Sequence, residues 1–207
     1  MLELTDKEQN MMILTDEEKG LKDKCSEHLL SIQSSPAHSI DHAEKVLGYA
    51  LELAKSTSAS RKVLIASSLL HDISRQFGSK GEAHGKESAQ MIGHFLGKTS
   101  LTDEEAVLTL QAITNHSLKE QGSTIPVESK ILYDADKLAG FGMLGFIRIC
   151  VYAGEKNYGL DEICNMLTNE LPKKQSRLHL EQSQALAREL NQKLELIQEL
   201  MKKERIL

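Results

Sequence analysis

An all-α fold is what the sequence predicts, on three observations. Apolar residues recur at three- and four-residue intervals through most of the 207-residue chain. No run alternates apolar and polar residues as a half-buried strand would. The segments Leu4-Thr5-Asp6, Leu14-Thr15-Asp16-Glu17-Glu18 and Leu101-Thr102-Asp103-Glu104-Glu105 read as helix N-caps, the last two with capping-box spacing.

The first helix covers about residues 15–33, with Leu21, Cys25, His28, Leu29 and Ile32 on one face and Pro36 barring its continuation. His28 is expected to be a core histidine bonded to a carbonyl. A second helix begins near Ser39 and carries His42, Val46, Tyr49, Ala50 and Leu53 on one face. The third, from about Arg61, is apolar all round over 63–70 and is therefore the central buried helix of a compact bundle. After Gly78 and Gly81 come a fourth helix from about Glu82 to Leu96 and a fifth from Asp103 to about His116. A loop over 122–126 leads to a sixth, from Glu128 to about Tyr152. Gly140, Gly142 and Gly145 weaken that helix, so they serve close packing or a break. A C-terminal amphipathic helix over about 173–205 aligns Leu186, Leu190, Leu194, Ile197 and Met201 as a packing stripe, with a homodimer as the alternative use.

Composition bounds the function. With 40 % apolar residues the chain supports a single domain over 1–207. No stretch approaches the roughly eighteen apolar residues of a membrane span, and Asp6, Lys7 and Glu8 interrupt any secretory apolar region, so no membrane association and a cytoplasmic location are expected. Cys25, Cys150 and Cys164 are odd in number and form no C-x-x-C pair, which excludes a disulfide framework and predicts reduced, mostly buried thiols. A net charge of −5 without a long basic run argues against duplex nucleic acid as a partner, while a small anionic substrate needs only local cations. Aromatic residues are 4 % of the chain and tryptophan is absent, so no base-stacking platform is evident. Tyr133, Phe77 and Phe141 are expected to pack in the core.

Chemistry concentrates at His71-Asp72, which closes the buried 63–70 run. An imidazole and a carboxylate there need partners, because unpaired buried charge costs several kcal/mol, and a metal ion fits best. Helix-face placement selects the other ligands. His42 shares its face with Val46, Tyr49 and Leu53; His84 with Ser88, Met91 and Phe95; Asp136 with Leu132, Gly140, Met143 and Ile147. Asp134 points nearly opposite Asp136, and His94 and His179 are expected in solvent. His116 completes the set. Mixed imidazole and carboxylate ligation suits manganese, iron, nickel or zinc, and does not suit calcium.

The order His42, His71-Asp72, Asp136, with Leu69-Leu70-His71-Asp72-Ile73 at its centre, resembles the HD superfamily of metal-dependent phosphohydrolases over about residues 36–150. The segments His84-Gly85-Lys86-Glu87-Ser88-Ala89 and Tyr133-Asp134-Ala135-Asp136-Lys137-Leu138 look like bacterial stand-alone members that cleave nucleotides. The resemblance implies an all-helical HD-domain bundle and a metal held by His42, His71, Asp72 and Asp136, with manganese or iron favoured. It also implies a small phosphorylated substrate, a nucleotide by similarity. Many such relatives carry a His-Asp pair four residues before the first ligand, where this chain has His38-Ser39.

In the leading expectation the metal polarises a phosphoryl oxygen and acidifies a water. Asp72, His84 and His116 are then the catalytic residues, and His38, Arg75, Lys80, Lys86 and Lys137 the candidate substrate contacts. A second expectation makes His84 and His116 ligands of a second metal bridged through Asp72, as in dinuclear phosphodiesterases, dinucleoside-tetraphosphate hydrolases and di-iron oxygenases. A third is a non-catalytic metal-binding regulatory protein.

Overall fold

The structure is a computed structural model and describes residues 13–118 and 124–204. The expected cap at Thr5 and the start of the 122–126 loop lie outside the described residues. Helix α1, Asp16–Ile32, starts at the capping box of Thr15 and Glu18. Glu18 also accepts from Arg61 Nε at 2.7 Å, which ties this start to the central helix. A 3-10 turn, Pro36–His38, precedes α2, Ile40–Ala54. Helix α3, Arg61–Leu70, is capped by the Ser60 side chain. Residues 63–70 are at most 1 % exposed, as their all-round apolarity requires. Each large aliphatic side chain buried there contributes about 1.5–3 kcal/mol before the loss of chain entropy is counted.

A second 3-10 turn, Ile73–Phe77, and then α4, Ala83–Leu96, come next. Helix α5, Asp103–Asn115, has its own capping box at Thr102 and Glu105, and α6 is Val127–Ala139. Helix α3 packs against α1, α2, α5 and α6, so every ligand-bearing helix except α4 packs closely against it or is α3 itself.

The expected sixth helix is two helices. It stops at Gly140, and α7, Gly142–Glu155, leaves at 81° to α6. Gly142 has φ +70, a left-handed conformation that disfavours side chains. A Cβ on Gly145 would lie 2.2 Å from both the carbonyl carbon and oxygen of Gly140, so the corner closes only around glycine. Met143 and Ile147, expected on the Asp136 face, belong to α7 instead and are exposed.

The end of the chain also differs from expectation. Helix α8, Leu160–Asn165, runs through a π turn, Met166–Glu170, into α9, Leu171–Gln175. The last helix, α10, is Glu181–Glu204 and begins eight residues later than expected. Asp134 holds this start: its carboxylate accepts from the backbone N–H of His179 and Leu180, both at 2.8 Å. Leu194 is fully buried and Leu186, Leu190, Ile197 and Met201 are partly buried on the core, so the stripe is a packing face. His28 is half-buried and stacks on Phe95 at 4.1 Å instead of bonding a carbonyl in the core. The three cysteines are free, with Cys25 and Cys164 buried. Among the described residues no single helix is long and apolar enough to cross a membrane.

Gly145→Ala should lower unfolding stability by about 1–3 kcal/mol, read as a drop in urea midpoint. Gly154→Ala, where an added Cβ meets nothing within 4 Å, should leave the midpoint unchanged or raised.

Candidate metal centre

The centre is assembled from helix ends. His71 is the C-cap of α3, and Asp72 lies between α3 and the second 3-10 turn with φ −106. His116 is the C-cap of α5. The last carbonyls of a helix lack intrahelical partners, and these two histidines use them: His71 Nδ1 lies 2.8 Å from Ser68 O and His116 Nδ1 2.5 Å from Ile113 O. His84, in the first turn of α4, does the same with Gly81 O at 2.5 Å. A bond from Nδ1–H to a carbonyl puts the lone pair on Nε2 and aims it away from the backbone. His42 and Asp136 come from the inner faces of α2 and α6, which pack on each other.

The lone-pair atoms converge. His42 Nε2 is 3.7 Å from Asp72 Oδ2 and 3.4 Å from Asp136 Oδ1; His71 Nε2 is 3.3 and 3.8 Å from the same two oxygens. The other Asp72 oxygen, Oδ1, is 3.2 Å from His84 Nε2 and 3.7 Å from His116 Nε2. Ligand atoms each about 2.0–2.2 Å from one cation lie about 3.0–3.4 Å apart, close to these spacings. Among the described residues two groups bring their donor atoms within 4.8 Å of one another, His42-His71-Asp72-Asp136 and Asp72-His84-His116.

Three observations show that these residues fit a cation. His42 Nδ1 and Nε2, His71 Nε2 and Asp72 Oδ1 are buried with no hydrogen-bond partner, a costly state unless a ligand satisfies them. His84 Nε2 and His116 Nε2 face each other at 3.0 Å. In the His84 tautomer that bonds Gly81 O these two atoms carry facing lone pairs, which a positive charge beside them would relieve; in the one that accepts from Arg75 Nη2 at 3.1 Å they share a hydrogen bond. The donor set itself, imidazole and carboxylate, suits a divalent transition ion.

The electrostatics agree. Burial holds His42 down to about 3 and His38 and His116 down to about 4, so these imidazoles are neutral. Burial opposes charge on His71 as well, but Asp72 and Asp136 outweigh it and raise its pKa. Burial likewise opposes ionisation of Asp72 and Asp136. Neighbouring imidazoles, and for Asp136 foremost Lys137, overcome it and hold both well below the usual carboxylate range.

Residues 39–140 match the HD domain family. The chain carries an HD domain. No curated protein matches its sequence. Among solved structures, a Lactobacillus plantarum protein superposes with a TM-score of 0.73 at 18 % identity, covering 94 % of this chain and 99 % of its own. Bacillus subtilis YpgQ, solved in complex with ADP, gives 0.71 at 22 % identity over 88 % and 97 %. An HD-superfamily hydrolase from Bacillus thuringiensis gives 0.65 at 21 % identity over 92 % and 100 %. At these identities the likeness establishes a shared fold.

Above the HD-domain carboxylates a cleft of about 450 Å³ opens, lined by His38, Arg75, His84 and Lys137 as expected. Lys137 bonds Asp136 at 2.7 Å, and Arg75 Nε lies 3.8 Å from Asp72. Lys80 and Lys86 are exposed and do not line the cleft. His94 and His179 are exposed, as expected. Tyr133 and Phe141 are core residues, whereas Phe77 is 63 % exposed.

Arg148, Tyr152, Met166 and Lys174 also line the cleft, and no sequence signal pointed to them. All lie beyond residue 140, where the Gly140 corner alone hinted that the chain turns. Glu155 is a further surprise. Ser39 replaces the acid expected after His38, yet Glu155 accepts from Ser35 Oγ at 3.0 Å and Ala37 N at 2.7 Å. Ser35 Oγ, its proton given to Glu155, is left to accept from His38 Nδ1 at 2.8 Å, which turns His38 Nε2 toward Asp72 at 3.9 Å.

His38, His42 and His116 have folded pKa values below the roughly 6.5 of an exposed imidazole. The unfolded chain therefore binds more protons between about pH 6.5 and pH 4, and stability is lost as pH falls through that window. His71, with its raised value, opposes this in part. The melting temperature of chelator-treated protein should fall from about pH 7 to pH 4, and a flat or rising profile would contradict neutral imidazoles.

Proposed function

We propose that the chain is a metal-dependent phosphohydrolase that cleaves a phosphoester or phosphoanhydride bond of a small substrate, a nucleotide. The observation that carries this is the meeting of orphaned, buried imidazole and carboxylate atoms beneath a cleft lined by Arg75, Lys137, Arg148 and Lys174. Acidic donors favour a cation at the floor, and cationic walls favour an anion above it. A nucleotide is supported by the complex of the similar YpgQ with ADP.

A bound divalent cation, with manganese or iron favoured, supplies Lewis acidity that polarises a phosphoryl oxygen and lowers the pKa of water. His42, His71, Asp72 and Asp136 would hold it. Arg75 and Lys137 neutralise phosphate oxygens. His38 Nε2, neutral and aimed at the cleft floor, accepts a hydrogen bond from water or substrate. His84 and His116 contact the phosphate or protonate the leaving oxygen.

A second reading, in which Asp72, His84 and His116 would hold a second cation, is favoured by one observation: the donor atoms of these three residues lie within 4.8 Å of one another. It makes these histidines ligands.

Metal analysis of protein purified without chelator should find a divalent ion, one per chain for the first reading; two irons per chain would favour the second. A panel of nucleoside mono- and triphosphates with added manganese should release phosphate or pyrophosphate, and Asp72→Ala should reduce that rate at least about a thousandfold. Bound metal with no release under any metal would sink the hydrolase proposal and leave a regulatory metal protein.

A further inference from the structure

Lys174 is the cleft's unexplained cation. It lies on α9, outside the residues that match the HD domain, and is a part-buried side chain lining the cleft. Its ammonium makes no hydrogen bond or ion pair with any described residue. The cleft's other cations each have a partner within the protein: Lys137 has Asp136, Arg75 has Ser79 O at 3.0 Å, and Arg148 has Ala37 O through Nε at 2.6 Å. Even the neighbouring Lys173 is paired, with Glu170 at 2.8 Å.

Local structure explains why Lys174 turns inward. The π turn Met166–Glu170 adds a residue to the helical path and rotates the next turn about the axis, a device common at functional sites. Leu171 takes the core position at 1 % exposure, Lys173 reaches solvent, and Lys174 is delivered to the cleft. Burial pushes its pKa down to about 8, with repulsion from Lys137 and Arg148 adding to the effect and attraction to Asp136 and Glu170 opposing it. It therefore remains mostly protonated at neutral pH. Three cations on one wall of the cleft make an anion beside Lys174 favourable.

Resting on the phosphohydrolase assignment, we propose that Lys174, together with Arg148, anchors a phosphoryl group of the substrate and is a specificity-determining residue of the cleft. Arg148 suits the task because Nε is occupied by Ala37 O, which fixes the guanidinium and leaves its terminal nitrogens for an anion.

The test uses the full chain, chelator-treated, with inorganic pyrophosphate as probe and calorimetry as readout. Wild type should bind, and Lys174→Met should weaken binding about tenfold to a hundredfold. Lys174→Arg should retain binding within about threefold, and Lys173→Met should match wild type. Without pyrophosphate, Lys174→Met should melt at or above the wild-type temperature, because a charge with no partner has been removed; pyrophosphate should then raise the wild-type melting temperature but not that of the variant. With metal and a hydrolysed nucleotide, Lys174→Met should raise KM at least about tenfold while kcat changes less than about threefold. A folded Lys174→Met or Lys174→Gln that binds pyrophosphate within about twofold of wild type overturns the anchor, as does wild type that does not bind. If no nucleotide is hydrolysed but Lys174→Met still loses pyrophosphate, the anchor stands and the hydrolase assignment falls.

Discussion

The Asp72 carboxylate sets the terms for everything around it. It is a buried acid whose two oxygens face different histidine pairs, Oδ2 toward His42 and His71 and Oδ1 toward His84 and His116. Four helices, α2 to α5, must arrive at one point for this to happen, and the central helix is the one placed to coordinate them. Its 63–70 stretch tolerates no gap because its neighbours are indexed against it. Core packing and site geometry are thus one constraint, and a core substitution that shifts α3 also shifts His71 and Asp72.

One backbone device recurs around that acid. Histidine Nδ1 bonds to the carbonyl three residues earlier at 71 and 116, which fixes tautomer and aim together. The supporting bonds extend outward. Ser74 accepts from Ser88 Oγ and donates to His84 O, and Gln76 holds the loop of Ser34 and Ser35 while donating to His38 O. Gly85 lets α4 approach α5, since a Cβ there would meet Ile113 O at 2.6 Å. The orphaned polar atoms are thereby held rigidly apart from their own backbone. The folded chain carries the cost of that arrangement until a cation binds, which couples metal affinity to stability.

Much of this was legible in the sequence because its causes are local. Caps at Thr15 and Thr102 are read from four residues, and the burial of 63–70 is dictated by apolarity on all sides. Facing direction separated Asp136 from Asp134, and the structure gives each a distinct use, the second as a clamp on the backbone of 179 and 180. Periodicity failed where geometry is non-local. It carried the Asp136 face through Gly140 onto Met143 and Ile147, although helix propensity does not specify an 81° corner. It passed over 160–175 because a π turn breaks the spacing it looks for. Glu155 and Lys174 act on groups far away in sequence, and no local window contains both partners.

The glycine corner at 140–145 has a consequence for how such a chain can change. Everything proposed to hold the cation precedes it, while Arg148, Tyr152, Met166 and Lys174 come after it. The bend folds the second set back over the first, so one wall of the cleft is written in a stretch of sequence separate from the carboxylates beneath it. Substitutions after the corner can reshape what the cleft admits without disturbing a single metal-facing atom.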